Sequence, residues 1–142
     1  MPVSYTIDKE AGLIRTRCEG NVTLAEVLNH FQVLKDDPER PNHLDVFLDL
    51  REMTSSPTAD QIRAASRGPR FLGGPGKFGF CAIVADRDVI YGMSRMWAVF
   101  VGQMFTEVMV FRSAPEAEIW LTQCRTRNRS LGTSGKTNPV TN

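Results

Sequence analysis

Near its start the chain alternates: Val3, Tyr5 and Ile7 are apolar, and Ser4, Thr6 and Asp8 separate them. A period of two predicts a half-buried strand. Lys9 to Gly12 reads as a turn closed by glycine. Leu13 to Cys18 then alternates again, with Ile14, Thr16 and Cys18 on one face and Arg15 and Arg17 on the other. The two runs predict a hairpin at a sheet edge, where one face can stay wet. After Glu19-Gly20-Asn21 the period changes. Leu24, Val27, Leu28, Phe31 and Leu34 recur at helical spacing, and Thr23 with Glu26 supplies a capping box in front of them. Asp37-Pro38 and Arg40-Pro41 end that helix.

Leu44, Val46, Phe47, Leu48 and Leu50 are apolar on both faces, the pattern of an inner parallel strand. The strand hands over to Glu52–Pro57. Ser56 before Pro57 is a good N-cap followed by a first-turn proline, and Thr58 with Gln61 offers a second capping register. The helix expected from there to about Arg70 is mostly polar. Phe71 to Lys77 reads as a loop, and Phe78 to Val84 as a strand buried on both faces. Val89 to about Phe105 predicts a long helix. Its wide apolar stripe is Val89, Ile90, Met93, Met96, Trp97, Phe100, Val101 and Met104. Glu107 to Arg112 predicts the last strand. Ser113 with Glu116 caps a final helix whose inner face is Ala117, Trp120, Leu121 and Cys124.

The order is β-β-α-β-α-β-α-β-α. Strict alternation after the hairpin predicts an α/β fold with a mixed, mostly parallel five-stranded sheet. Residues 1–124 form the expected single domain. Residues 125–142 lack periodicity and are rich in Gly, Ser, Thr and Asn, so they are expected to be a disordered tail.

Composition adds limits. The 142 residues carry a net charge of +1, which offers no global signal for nucleic acid. Residues 125–142 hold Arg125, Arg127, Arg129 and Lys136 and no acid, so the body is slightly acidic and the tail basic. Cys18, Cys81 and Cys124 are widely spaced with no Cys-x-x-Cys, which suggests buried free thiols and a reducing, cytoplasmic setting. His30 and His43 are the two histidines, too little material for a His/Cys metal site, and no cofactor is expected. The N-terminus shows no signal-peptide pattern, and no apolar run reaches the ~20 residues of a membrane span.

The opening hairpin, the capped helix from Thr23, Val46-Phe47-Leu48-Asp49-Leu50-Arg51 with hydroxyls before a helix, Phe78–Val84, and Val108–Arg112 with a short final helix together carry a resemblance. Over about residues 3–124 the chain resembles the STAS family, the sulfate-transporter and anti-sigma-antagonist domain, and more closely its small stand-alone bacterial branch. The resemblance implies a non-enzymatic regulatory or protein-interaction module. In anti-sigma antagonists a Ser or Thr at the corresponding helix start is phosphorylated, and Ser55 and Ser56 match it here. The acid before and the glycine after that motif are absent, and Pro57 alters its spacing. Within the same neighbourhood, small-ligand or lipid carriage is the alternative.

The candidate binding or phospho-acceptor loop is therefore Arg51, Thr54, Ser55, Ser56 and Thr58. Ligands favour the carboxyl ends of parallel strands, and helix N-termini there attract anions. Arg87, Asp88, Arg112 and Ser113 extend this edge as a candidate anion-binding site. Tyr91, Arg95, Val99 and Phe105, outside or at the end of the apolar stripe, form a candidate surface for a protein partner or a homodimer. Gly73-Gly74-Pro75-Gly76-Lys77 is not a Walker loop, because Phe78 follows the lysine and a strand follows the loop. His30 is expected on the polar side of its helix. No acid, base and nucleophile converge in the pattern, so no catalytic residues are assigned.

Overall fold

The computed structural model describes residues 2–73 and 78–137, with side chains through Asn128. Gly74-Pro75-Gly76-Lys77 of the expected loop, and residues 138–142 of the expected tail, lie outside the described residues. Five strands form one sheet in sequential order: β1 (Val3–Asp8), β2 (Leu13–Gly20), β3 (Asp45–Met53), β4 (Phe78–Val84) and β5 (Phe105–Phe111). β1 and β2 are antiparallel, with Val3 opposite Cys18 and Asp8 opposite Leu13. The other neighbours are parallel, as the alternation of strands and helices predicts.

The sequential order decides where the helices go. α1 (Leu24–Lys35) joins β2 to β3, α2 (Ala59–Ala65) joins β3 to β4, and α3 (Asp88–Val101) joins β4 to β5. Right-handed crossovers that always step in the same direction place their helices on the same face. That face carries Ile14, Thr16, Cys18, Val46, Leu48, Leu50, Cys81 and Ile83, packed with Ile90, Val101 and Phe105 in its main core. The other face, with Leu13, Phe47, Phe80, Ala82 and Val84, is left to α4 (Ala114–Thr137), whose Ala117, Leu121 and Cys124 close it. α2 is only seven residues long and rests chiefly on α1 and α3. A 3-10 turn over Gly68–Leu72 completes this layer.

Three boundaries differ from the sequence reading. α3 stops at Val101, and Gly102 begins the turn that feeds β5. Phe105 is therefore the first residue of a strand, and its ring packs 5.4 Å from that of Phe78. α2 ends at Ala65, with Ser66 as its C-cap, and Gly68-Pro69 start a 3-10 turn in place of further α-helix. The third difference is α4, which continues through Thr137 where a structureless tail was expected from residue 125. Arg125 Nε donates to Asp45 Oδ2 at 2.8 Å, so the helix gains an anchor beyond its apolar face. No proline interrupts the run before Pro139.

Candidate functional site

The helical layer does not close fully onto the sheet. Between them lies a cavity of about 370 Å³, a size usual for small-ligand sites. Its floor is Ile14, Thr16, Cys18, Val46, Leu48, Cys81 and Ile83 of β2, β3 and β4. Its roof is Leu24, Val27, His30 and Phe31 of α1, Ile62 of α2, and Ile90, Met93, Ser94 and Trp97 of α3. Of the apolar residues of α1, only Leu34 is fully buried; Leu24 and Val27 border the cavity, and Phe31 borders it while packing on the cluster of Ile14, Leu34, Leu44 and Leu72. Phe31 lies flush against Gly68, where a Cβ would collide with its ring.

The exposed lining residues place the mouth. Asn21 and Thr23 precede or begin α1, and Ser56 and Gln61 precede or begin α2. The opening thus sits at the carboxyl ends of β2 and β3. Its two lips are tied together: Val22 N donates to Ser55 Oγ at 3.0 Å, and Thr54 N to Gly20 O at 2.9 Å. The guanidinium of Arg87 donates to Met53 O at the end of the same strand.

The binding loop of the sequence reading lies at this mouth, with its residues in distinct roles. Ser55 holds Val22. Ser56 is exposed and lines the opening, but it is not the cap. Thr58 is: its Oγ1 accepts from Gln61 N at 3.2 Å, and Gln61 Oε1 accepts from Thr58 N at 2.8 Å. The second capping register wins because it satisfies two free amides reciprocally. Thr54 is exposed. Arg51 points away, on the α4 face, where Nε and Nη2 bind the two oxygens of Asp49 at 3.0 and 2.8 Å. That pairing holds the Asp49 carboxyl below its ordinary range.

The three arginines of the expected anion edge do not form a shared cradle. Arg51 is taken by Asp49, Arg87 by Met53 O, and Arg112 by Asp88 Oδ1 at 2.7 Å. Arg112 also stacks 4.3 Å over the ring of Tyr91. Ser113 Oγ accepts from Glu116 N at the start of α4, as its capping role predicts. Of the candidate partner surface, Arg95 and Val99 are exposed, Tyr91 is half-buried beneath Arg112, and Phe105 is in the core.

Compared with family models and with curated proteins, the chain finds no match. What it offers chemically must be read from its own cavity. No Asp, Glu, Lys or Arg lines it among the described residues. The thiols of Cys18 and Cys81 are pushed up to about 12, chiefly by burial. Burial pushes His30 down to about 4, so it stays neutral, edge-on to Tyr5 and Phe31. The sequence reading placed His30 on the wet side of α1. Its ring instead turns toward β1 and the cavity, next to the apolar stripe.

Sequence reasoning missed Ser94. It sits at the centre of the inward face of α3, among Ile90, Trp97 and Val101, and is 4% exposed. Its Oγ has no hydrogen-bond partner among the described residues, not even the carbonyl of Ile90 one turn back. Leaving a buried hydroxyl unpaired costs about 1–3 kcal/mol. The signal was available in the sequence, as a serine interrupting an otherwise apolar stripe. Among the described residues no group of His, Cys, Asp and Glu is arranged to hold a metal ion, and no helix is long and apolar enough to cross a membrane.

Proposed function

We propose that the protein is a non-enzymatic binding module that takes a small apolar or lipid-like ligand into the cavity beneath α1, α2 and α3. The cavity carries this reading. A sheet face and three helices enclose space of ligand size, line it with aliphatic and aromatic side chains, and leave it open at one edge. The absence of catalysis is supported by the state of its reactive groups: the thiols are held protonated and the imidazole neutral and weakly basic. A cytoplasmic STAS-like domain remains the proposed relationship, and the element order supports it. The test is titration with N-phenyl-1-naphthylamine, a neutral fluorophore that brightens in apolar sites. Saturable binding at one site, lost when Ile83→Trp fills the floor, is the expected result. No saturable binding to the folded wild type would overturn the reading.

A second reading, contact with a protein partner or a second copy, is favoured by one further observation. The apolar residues of α3 are split between an inner and an outer face. Val89, Met96 and Val99 point outward, 59%, 38% and 76% exposed, at positions i, i+7 and i+10 of one face. An exposed apolar row of this kind marks contact surfaces. Sedimentation equilibrium is expected to show self-association that Val99→Lys weakens. A strict monomer at high protein concentration would sink the homodimer form. Of the candidate phospho-acceptors at the mouth, Thr54, Ser56 and Thr58 are exposed, with the Thr58 hydroxyl engaged in its cap, and mapping of sites on protein from the native host tests their modification.

A further inference from the structure

Resting on the ligand-binding reading, we infer that Ser94 is the polar anchor of the cavity, and that the ligand is an uncharged lipophile bearing a hydroxyl or carbonyl group. Three observations converge on this class. The first is the orphaned Oγ of Ser94, buried within the roof without a partner among the described residues, on a residue that borders the cavity. A native core rarely leaves a buried side-chain polar atom unpaired, and a partner that enters with a ligand accounts for one. A serine hydroxyl both donates and accepts, so an alcohol or a carbonyl satisfies it.

The second observation is the charge of the lining. With no Lys or Arg lining it among the described residues, and with His30 held neutral, the cavity offers a carboxylate or phosphate no counter-charge there. Burying an unpaired ion is far costlier than burying a neutral polar group. An ammonium fares no better, because no Asp or Glu lines the cavity among the described residues. A free fatty acid with its head inward is therefore disfavoured against an alcohol of the same length.

The third observation is the spatial order of polar groups. Asn21, Thr23, Ser56 and Gln61 are exposed at the mouth, whereas Ser94 and Thr16 are buried, one in the roof and the other in the floor. Between these two polar zones the lining is aliphatic, aromatic or thiol-bearing, apart from His30. A molecule with an apolar body and one inward-facing oxygen matches that sequence of surfaces.

The experiment is competition against N-phenyl-1-naphthylamine by three ligands of equal chain length: 1-dodecanol, dodecane and dodecanoate. For the wild type, 1-dodecanol is expected to compete about tenfold better than either of the others, the scale of one buried hydrogen bond. Ser94→Ala is expected to erase the advantage of the alcohol over the alkane, read as the ratio of their competition constants against the same fluorophore. Ser94→Thr, which retains a hydroxyl, is expected to restore part of it. Equal competition by dodecanol and dodecane in the wild type would overturn the inference. So would strong dodecanoate binding, or an alcohol preference that survives Ser94→Ala. If the fluorophore itself does not bind, the ligand-binding reading fails and this inference with it; if it binds without the alcohol preference, only the inference fails.

Discussion

Arg125 and Asp45 are 80 residues apart in sequence, and the guanidinium Nε of the first donates to the carboxylate of the second at 2.8 Å. Both are largely shielded, with side chains 15% and 6% exposed. The other oxygen of Asp45 accepts the amide of Phe80 at 2.8 Å and faces His43 at 3.1 Å. One carboxylate thus ties α4, β3 and β4 together. Gly79 is part of the arrangement, since a Cβ there would collide with Asp45 Oδ1.

Removing Arg125 leaves that carboxylate buried without its main cation. Arg125→Ala is expected to lower stability by about 3–5 kcal/mol. Loss of Lys9, whose pair with Glu39 is exposed, is expected to cost well under about 1 kcal/mol. Urea denaturation of the two variants compares them directly. Hydrogen exchange should also show the helix beyond Cys124 opening in the Arg125 variant and not in the Lys9 variant.

Ser94→Ala is expected to raise the stability of the ligand-free protein by about 1 kcal/mol or more. It removes an unpaired buried hydroxyl and introduces the best helix former. A lower midpoint in thermal unfolding would mean that Ser94 makes a hydrogen bond in the folded chain.

His30 gives the cavity roof a pH dependence. Its folded-state pKa is depressed to about 4, while an unfolded histidine titrates near 6.5. Between these values the unfolded chain binds the extra proton, so stability falls as pH is lowered from about 6.5 toward 4. The loss is on the order of 2 kcal/mol once residual solvent contact is allowed for. His30→Phe is expected to flatten the stability profile in that window relative to wild type, as measured by urea midpoints at several pH values.

The two hydroxyls at the mouth separate cleanly. Thr58→Ala breaks both halves of a capping box and is expected to cost about 1 kcal/mol. Ser56→Ala, at an exposed residue that caps nothing, is expected to lie within about 0.5 kcal/mol of wild type. Equal losses in chemical denaturation would return the cap to Ser56.

Local pattern was sufficient for much of this molecule. The alternation in β1 and β2, the apolar runs of β3 and β4, and the capping box at Thr23 are short-range signals. They predict the element order and, through the crossover rule, a mostly parallel sheet. The mouth was legible for the same reason, since a strand end followed by hydroxyls and a helix start is a local motif. Periodicity alone, however, reports that a residue faces inward and not what it meets there. Leu24, Val27 and Phe31 read as core, yet they border the cavity, because how closely a helix layer meets a sheet depends on the packing of all its elements. His30 and Ser94 border the same cavity. The arginines at the strand ends read as a common anion site, but each found its own acceptor, Arg51 within its own strand and Arg87 and Arg112 on neighbouring segments. α4 also runs on through a polar stretch without apolar periodicity, and Arg125 in it meets Asp45 across 80 residues, a contact no local pattern shows. Sequence by itself determined the elements and their order, through backbone sterics and hydrophobic period. Tertiary structure decided the cavity, the unpaired hydroxyl and the pairing of charges, because each depends on distances between residues that no local pattern encodes.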